Sequence, residues 1–136
     1  MLDHVSLGVT NLLRSRLFYD AALRPLGLVR TVDYQRASDY GAKRGQLGVE
    51  FTITAETIEI KAAPSMHICF RAPHRAAVRD FHSAALMNRG TDGGRPSLRP
   101  QYHPDYYAAF VLDPDGHRIE AVCHAPETPE VSSAEE

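Results

Sequence analysis

The sequence predicts an α+β fold of two tandem β-α-β-β-β modules, and three observations predict it. The chain repeats itself: displaced by 63 positions, His4 falls on His67, Arg16 on Arg79, Phe18 on Phe81, Ala21-Ala22-Leu23 on Ala84-Ala85-Leu86, and Gly27 on Gly90. Each copy opens on strand-like alternation followed by helical spacing. Each copy closes on a matching strand, Gly48-Val-Glu-Phe-Thr-Ile53 against Arg118-Ile-Glu-Ala-Val-Cys123, at an offset that has grown by the length of intervening loops.

In the first strand Val5, Leu7 and Val9 share one face while His4, Ser6 and Gly8 share the other. A helix follows, with Asn11 as N-cap, Leu13, Leu17 and Ala21 spaced for burial, and Gly27 at its exit. The segment from 30 to 48 is irregular, with Asp39-Tyr40 resembling Asp105-Tyr106, and leads to the strand carrying Glu50. A polar linker around Lys61–Ser65 separates module one (about 1–60) from module two (about 64–124). There Ile68, Phe70 and Ala72 oppose His67, Cys69 and Arg71; Pro73 opens a helix that buries Val78, Phe81 and Ala85, and Gly90 ends it. Gly93-Gly94 reads as a turn, Pro100–Tyr107 as a loop entering a strand, and Asp113-Pro-Asp-Gly116 as the turn before the last strand. The acidic tail, 125–136, has little to bury and is expected to be flexible.

With 136 residues, 43% of them hydrophobic, the chain has room for one real core and excludes a large multidomain enzyme. The net charge is −2, and Glu127, Glu130, Glu135 and Glu136 supply acid at the C-terminus, so the body is near neutral. That balance gives no footprint for nucleic acid or for an anionic membrane. No apolar run reaches the ~20 residues of a membrane helix, and the N-terminus lacks a signal-like pattern, so a soluble cytoplasmic protein is expected. Cys69 and Cys123 form no C-x-x-C pair and read as reduced, buried and structural.

The repeat also aligns chemistry. His4 and Glu50 occupy the first and last strands of module one, as His67 and Glu120 do in module two, and alternation turns all of them away from the helix-covered face. If the modules pack about a pseudo-twofold axis, two imidazoles and two carboxylates converge, within one chain or between two. Such a set suits a divalent ion (nickel, zinc, cobalt, manganese or iron(II)) and leaves positions for water or substrate oxygens. His103, Tyr102, Tyr107 and Arg71 are candidates to line a substrate pocket. His74 and His82 read as solvated helix residues, and Cys69 shares the face of His67 without a sign of activation. Phosphate-loop, dinucleotide, nucleophile-elbow and H-E-x-x-H motifs are missing.

The opening Asp3-His4-Val-Ser-Leu-Gly-Val9, Phe18-Tyr19, Leu26-Gly27-Leu28, His67 and Phe110-Val-Leu-Asp-Pro-Asp-Gly-His-Arg-Ile-Glu120 together resemble the glyoxalase/bleomycin-resistance/dioxygenase family, the vicinal oxygen chelate superfamily. The resemblance covers about residues 1–124. It implies mixed sheets curled around a cleft with helices outside, and metal ligands at His4, Glu50, His67 and Glu120, as in glyoxalase I. It further implies Lewis-acid isomerase or lyase chemistry on a small molecule with adjacent oxygens, with Glu120 or Glu50 moving the proton. Two alternatives remain: a metal-free drug-binding protein using the same cleft, and an iron(II) extradiol-type dioxygenase using His4, His67 and Glu120. A homodimer is expected, because short half-sheets leave edges to cover.

Overall fold

Val5, Leu7 and Val9 do form the inner side of a strand, β1 (Val5–Val9), in the computed structural model, which describes residues 1–42, 49–63 and 65–127. Helix α1 (Leu12–Leu23) follows, Asn11 accepting the Arg14 amide at 3.0 Å as the expected N-cap. A 3-10 turn, Arg24–Leu26, ends on Gly27 at φ 90°, a left-handed conformation that glycine adopts without strain. Strands β2 (Val29–Asp33), β3 (Ala37–Gly41) and β4 (Phe51–Ala55) complete module one. Module two repeats the order with β5 (His67–Arg71), α2 (Arg75–Met87), β6 (Thr91–Leu98), β7 (Tyr107–Leu112) and β8 (Arg118–Cys123). The sheets have matching orders, β1-β4-β3-β2 and β5-β8-β7-β6, each with one parallel pair and two antiparallel pairs. The predicted α+β class and two-module architecture are thus observed.

Several local expectations are corrected. Helix α1 buries Ser15, Phe18, Tyr19, Ala22 and Leu23, whereas Leu13 and Leu17 are 68% and 59% exposed. The two aromatic rings carry more apolar surface than the leucines and set which stripe turns inward. Helix α2 starts at Arg75, two residues later than Pro73 suggested, with the His74 side chain accepting the Ala77 amide as N-cap. His82 is buried and bonds Asp92 at 2.9 Å, so it is not solvated. The left-handed residue after α2 is Arg89, at φ 77°; Gly90 is needed for closeness instead, because a Cβ there would lie 2.6 Å from Phe18. Gly93-Gly94 lies inside β6 at a register shift, not in a turn. Much of the supposedly irregular 30–48 segment is the β2–β3 hairpin. Cys123 is buried as expected, but Cys69 is exposed. Residues 43–48 of the 30–48 segment and most of the acidic tail lie outside the described residues.

One core serves both modules. Val9, Phe18, Tyr19, Phe51 and Ile53 pack in the same buried cluster as Val78, Phe81, Ala109, Val111 and Ile119. Phe51 and Phe70 join the two sheets edge to face at 5.4 Å. Each fully buried ring contributes about 2–3 kcal/mol relative to exposure. The Asp113–Gly116 turn does more than reverse the chain. Asp113 accepts the amides of Asp115 and His117, both at 2.9 Å, and the phenol of fully buried Tyr19 at 2.5 Å. Asp115 accepts the Thr10 hydroxyl at 2.6 Å, and His117 Nε2 donates to the Gly8 carbonyl at 2.8 Å. The turn therefore clamps module two onto β1 and α1. By strand alternation, the open face of each sheet is the side turned from this shared core.

The clamp has a pH consequence. Burial, and then Asp113, push the Tyr19 phenol above the ordinary 10.0; burial, and then Asp20, do the same for Tyr40. A group whose pKa is raised by folding contributes its stability in full below its unfolded value and loses it as pH climbs toward the folded value. Stability is therefore expected to fall from pH 10 upward, by up to about 1.4 kcal/mol per pH unit for each phenol. Urea unfolding at a series of alkaline pH values measures this, and a Tyr19→Phe variant should show a shallower slope.

Candidate functional site

Strands β5 and β8 run parallel in register, with His67 opposite Arg118 and Cys69 opposite Glu120. On the other side of β8, Phe110 of β7 stands opposite Glu120. Alternation then puts His67, Cys69, Glu120 and Phe110 together on the open face of the second sheet. His67 Nε2 lies 2.9 Å from Glu120 Oε1, and the Tyr106 hydroxyl donates to Glu120 Oε2 at 2.7 Å. Glu120 is only 2% exposed, so both carboxylate oxygens depend on these partners. The Phe110 ring meets the His67 ring edge-on at 5.6 Å and fixes its plane.

Burial, and then the hydrogen bond to Glu120, raise the Tyr106 phenol, so it remains a hydrogen-bond donor at neutral pH. Cys69, although exposed as a residue, has a thiol pushed up to about 12, by burial first and Glu120 second. It is therefore not an activated nucleophile. Alkylation of Cys69 by iodoacetamide at pH 8 should run at least about a hundredfold slower than that of a free thiol, and faster in Glu120→Gln, as read by mass spectrometry.

The first open face carries the other two candidates. His4 is exposed, with Nδ1 2.7 Å from Asp3, and Glu50 is exposed beside it, its carbonyl accepting the Val5 amide. The chain brings His67 and Glu120 together but sets His4 and Glu50 apart from them: among the described residues, no three His, Cys, Asp or Glu side chains are close enough to hold a metal ion. The donor chemistry at His67 and Glu120 nevertheless fits one. Adjacent ligands of an octahedral ion with bonds of about 2.1 Å stand about 3 Å apart, and the imidazole nitrogen and carboxylate oxygen here are 2.9 Å apart. Tyr106 occupies the place of an outer-shell partner that orients a ligating carboxylate.

The pocket candidates divide. His103 Nε2 and His124 Nδ1 are 2.9 Å apart, and the Asp105 amide donates to His103 Nδ1. The Tyr106 ring packs against both imidazoles and against Tyr102, which is 65% exposed. Tyr107, one residue out of phase, lies under the Arg75 and Arg79 guanidiniums on the helix side. Arg71 is exposed at the end of β5. The residue missed from sequence is Tyr106. Its signal was present, since 106, 108 and 110 share the parity that meets Glu120 across β7 and β8.

Fold and site thus define a two-module protein whose second open sheet face carries a His-Glu-Tyr constellation built on the buried Glu120. No family model and no curated protein matches the chain. Solved structures do. A glyoxalase/bleomycin resistance protein from Albidiferax ferrireducens is 29% identical over 91% of this chain and 98% of its own, with a TM-score of 0.79. A fosfomycin resistance protein from Listeria monocytogenes is 14% identical over 92% and 93%, with a TM-score of 0.66. A glyoxalase I variant from Zea mays is 20% identical over 89% of this chain but 46% of its own, with a TM-score of 0.64. The chain shares the fold of these glyoxalase/bleomycin-resistance/dioxygenase proteins, that of the vicinal oxygen chelate superfamily.

Proposed function

We propose that the protein is a homodimeric, divalent-metal-dependent enzyme with glyoxalase I-like chemistry on a small molecule that has adjacent oxygens. The observation that carries this reading is the His67–Glu120 pair, 2.9 Å apart on an open sheet face and buttressed by Tyr106. His67 and Glu120 of one copy would hold the ion together with His4 and Glu50 of a second copy. The separation of the two half-sets in a single chain with one shared core supports assembly between copies rather than within one. The bound ion (nickel, zinc, cobalt, manganese or iron(II)) would supply Lewis-acid stabilisation of negative charge on substrate oxygen.

The chain's own contribution is proton handling. Glu120 is the general base: a carboxylate shielded from water takes a proton from carbon beside a carbonyl and returns it to the neighbouring position. Tyr106 holds Oε2, so Glu120 would take the proton on Oε1, the oxygen beside His67, when that oxygen is not on the ion. A second reading, metal-free binding of an aromatic or drug-like molecule, is favoured by one observation: His67 and Glu120 already satisfy each other, beside the exposed Tyr102 ring.

Metal analysis of tag-free protein separates the two. The enzyme reading expects about one divalent ion per chain in a dimer and none in His67→Ala. Absence of metal from wild type, even after dialysis against each ion, leaves the binding reading.

A further inference from the structure

We propose that Arg99 and Arg118 form an oxyanion subsite beside the His67–Glu120 pair, so that the ligand of this site carries a carboxylate or phosphoryl group. The inference rests on the functional reading above for what lies next to the subsite, but not for the subsite's own chemistry. Both guanidiniums lie over the Phe110 ring, 5.2 Å (Arg99) and 4.4 Å (Arg118) from its centroid. That ring also abuts His67, and Arg118 is the β8 register partner of His67. The two cations therefore flank the constellation directly.

Their charges have no counterpart. Arg14, Arg16, Arg30, Arg75 and Arg79 each pair with a carboxylate, but among the described residues neither Arg99 nor Arg118 does. The adjacent carboxylate, Glu120, is occupied by His67 and Tyr106. Arg99 Nε is buried with no hydrogen-bond partner in the described structure, while its Nη2 is anchored on the Arg95 carbonyl at 3.2 Å. Gly94 makes room for it, since a Cβ there would stand 3.2 Å from that same Nη2 and from the Phe110 ring.

Stacking on an aromatic face positions a guanidinium without consuming its N–H edge, which is the edge that receives a planar oxyanion in a two-bond fork. Two like charges held at one ring also repel each other, and a bound anion lowers that cost. A shared aromatic platform and two cations without a carboxylate partner call for the same kind of ligand.

The test is calorimetric titration of chelator-treated protein with acetate, with inorganic phosphate and with uncharged acetamide. Millimolar binding of at least one anion is expected, with the tighter one naming the source of the oxyanion, and no binding of acetamide. Arg99→Gln and Arg118→Gln should each weaken the anion by about tenfold or more, whereas Arg24→Gln, an equal charge change on an exposed residue of module one, should leave it unchanged. Arg99→Lys keeps the charge but loses the fork and should fall in between.

The proposal is overturned if wild type binds neither anion at 100-fold excess over roughly millimolar affinity, if acetamide binds as well as acetate, or if both Gln variants, folded by circular dichroism, bind like wild type. It is also overturned if the variants lose dimer while keeping anion affinity, which would make the arginines an inter-copy contact. Metal content measured on the same preparations before chelation keeps the two readings separate: a wild type without metal defeats the enzyme reading and leaves this titration standing.

Discussion

Glu120→Gln protein is expected to lose its divalent ion and at least about a hundredfold in turnover while keeping its fold. Glutamine preserves the shape of a side chain that is 2% exposed, and its amide satisfies the same neighbours, taking the His67 proton on oxygen and offering an N–H to the Tyr106 oxygen. Unfolding free energy should therefore change by no more than about 1 kcal/mol. Glu120→Ala differs: it strands both the Tyr106 hydroxyl and the imidazole and should cost about 1–3 kcal/mol. Metal analysis, activity on small molecules with adjacent oxygens and urea unfolding of the two variants check each part. Retained metal with full turnover in Glu120→Gln would remove the carboxylate from the mechanism.

The largest stability effect is expected at Asp113, far from any reacting group. Asp113→Ala removes three hydrogen bonds at once and leaves the Tyr19 hydroxyl and two turn amides without their acceptor. A loss of about 3–5 kcal/mol is expected, equivalent to a fall in Tm of about 10–20 °C for a domain of this size. Tyr19→Phe should cost about 1–3 kcal/mol, because it leaves one Asp113 oxygen without the phenol. In the double variant the costs should not add, since both substitutions break the same contact. Additive losses, measured by urea unfolding, would show that the clamp is not a single unit.

The two-module fold was legible because it is written twice. Strand alternation and helix spacing recur at matching places, and a repeat constrains topology more tightly than any single segment does. Spacing alone does not say which of two apolar sets on α1 turns inward; the Phe18 and Tyr19 rings decide it. Gly90 looked like a helix exit because glycine commonly serves there, yet the close approach of Phe18 is what demands it. At the site, the parity argument on β5 and β8 is enough to place His67 and Glu120 on one face. It says nothing of tertiary pairings such as Tyr19 with Asp113, or of two arginines stacking on Phe110 from β8 and the β6–β7 loop. Those depend on how loops bring distant residues together, for which the sequence carries no period. Nor could alternation say whether the two half-sets meet in one chain, because both packings satisfy the same repeat.

The measurement that tests the central claim most directly is metal complementation between two defective variants, His4→Ala and His67→Ala. Each alone is expected to bind no ion tightly. After mixing, mild denaturation and refolding, random pairing makes about half the dimers mixed, and each mixed dimer would regain one intact site built from His67 and Glu120 of one copy with His4 and Glu50 of the other. Recovery of about one quarter of wild-type metal is the predicted result. No recovery, from a mixture shown by native mass spectrometry to contain mixed dimers, would contradict a site assembled from two copies.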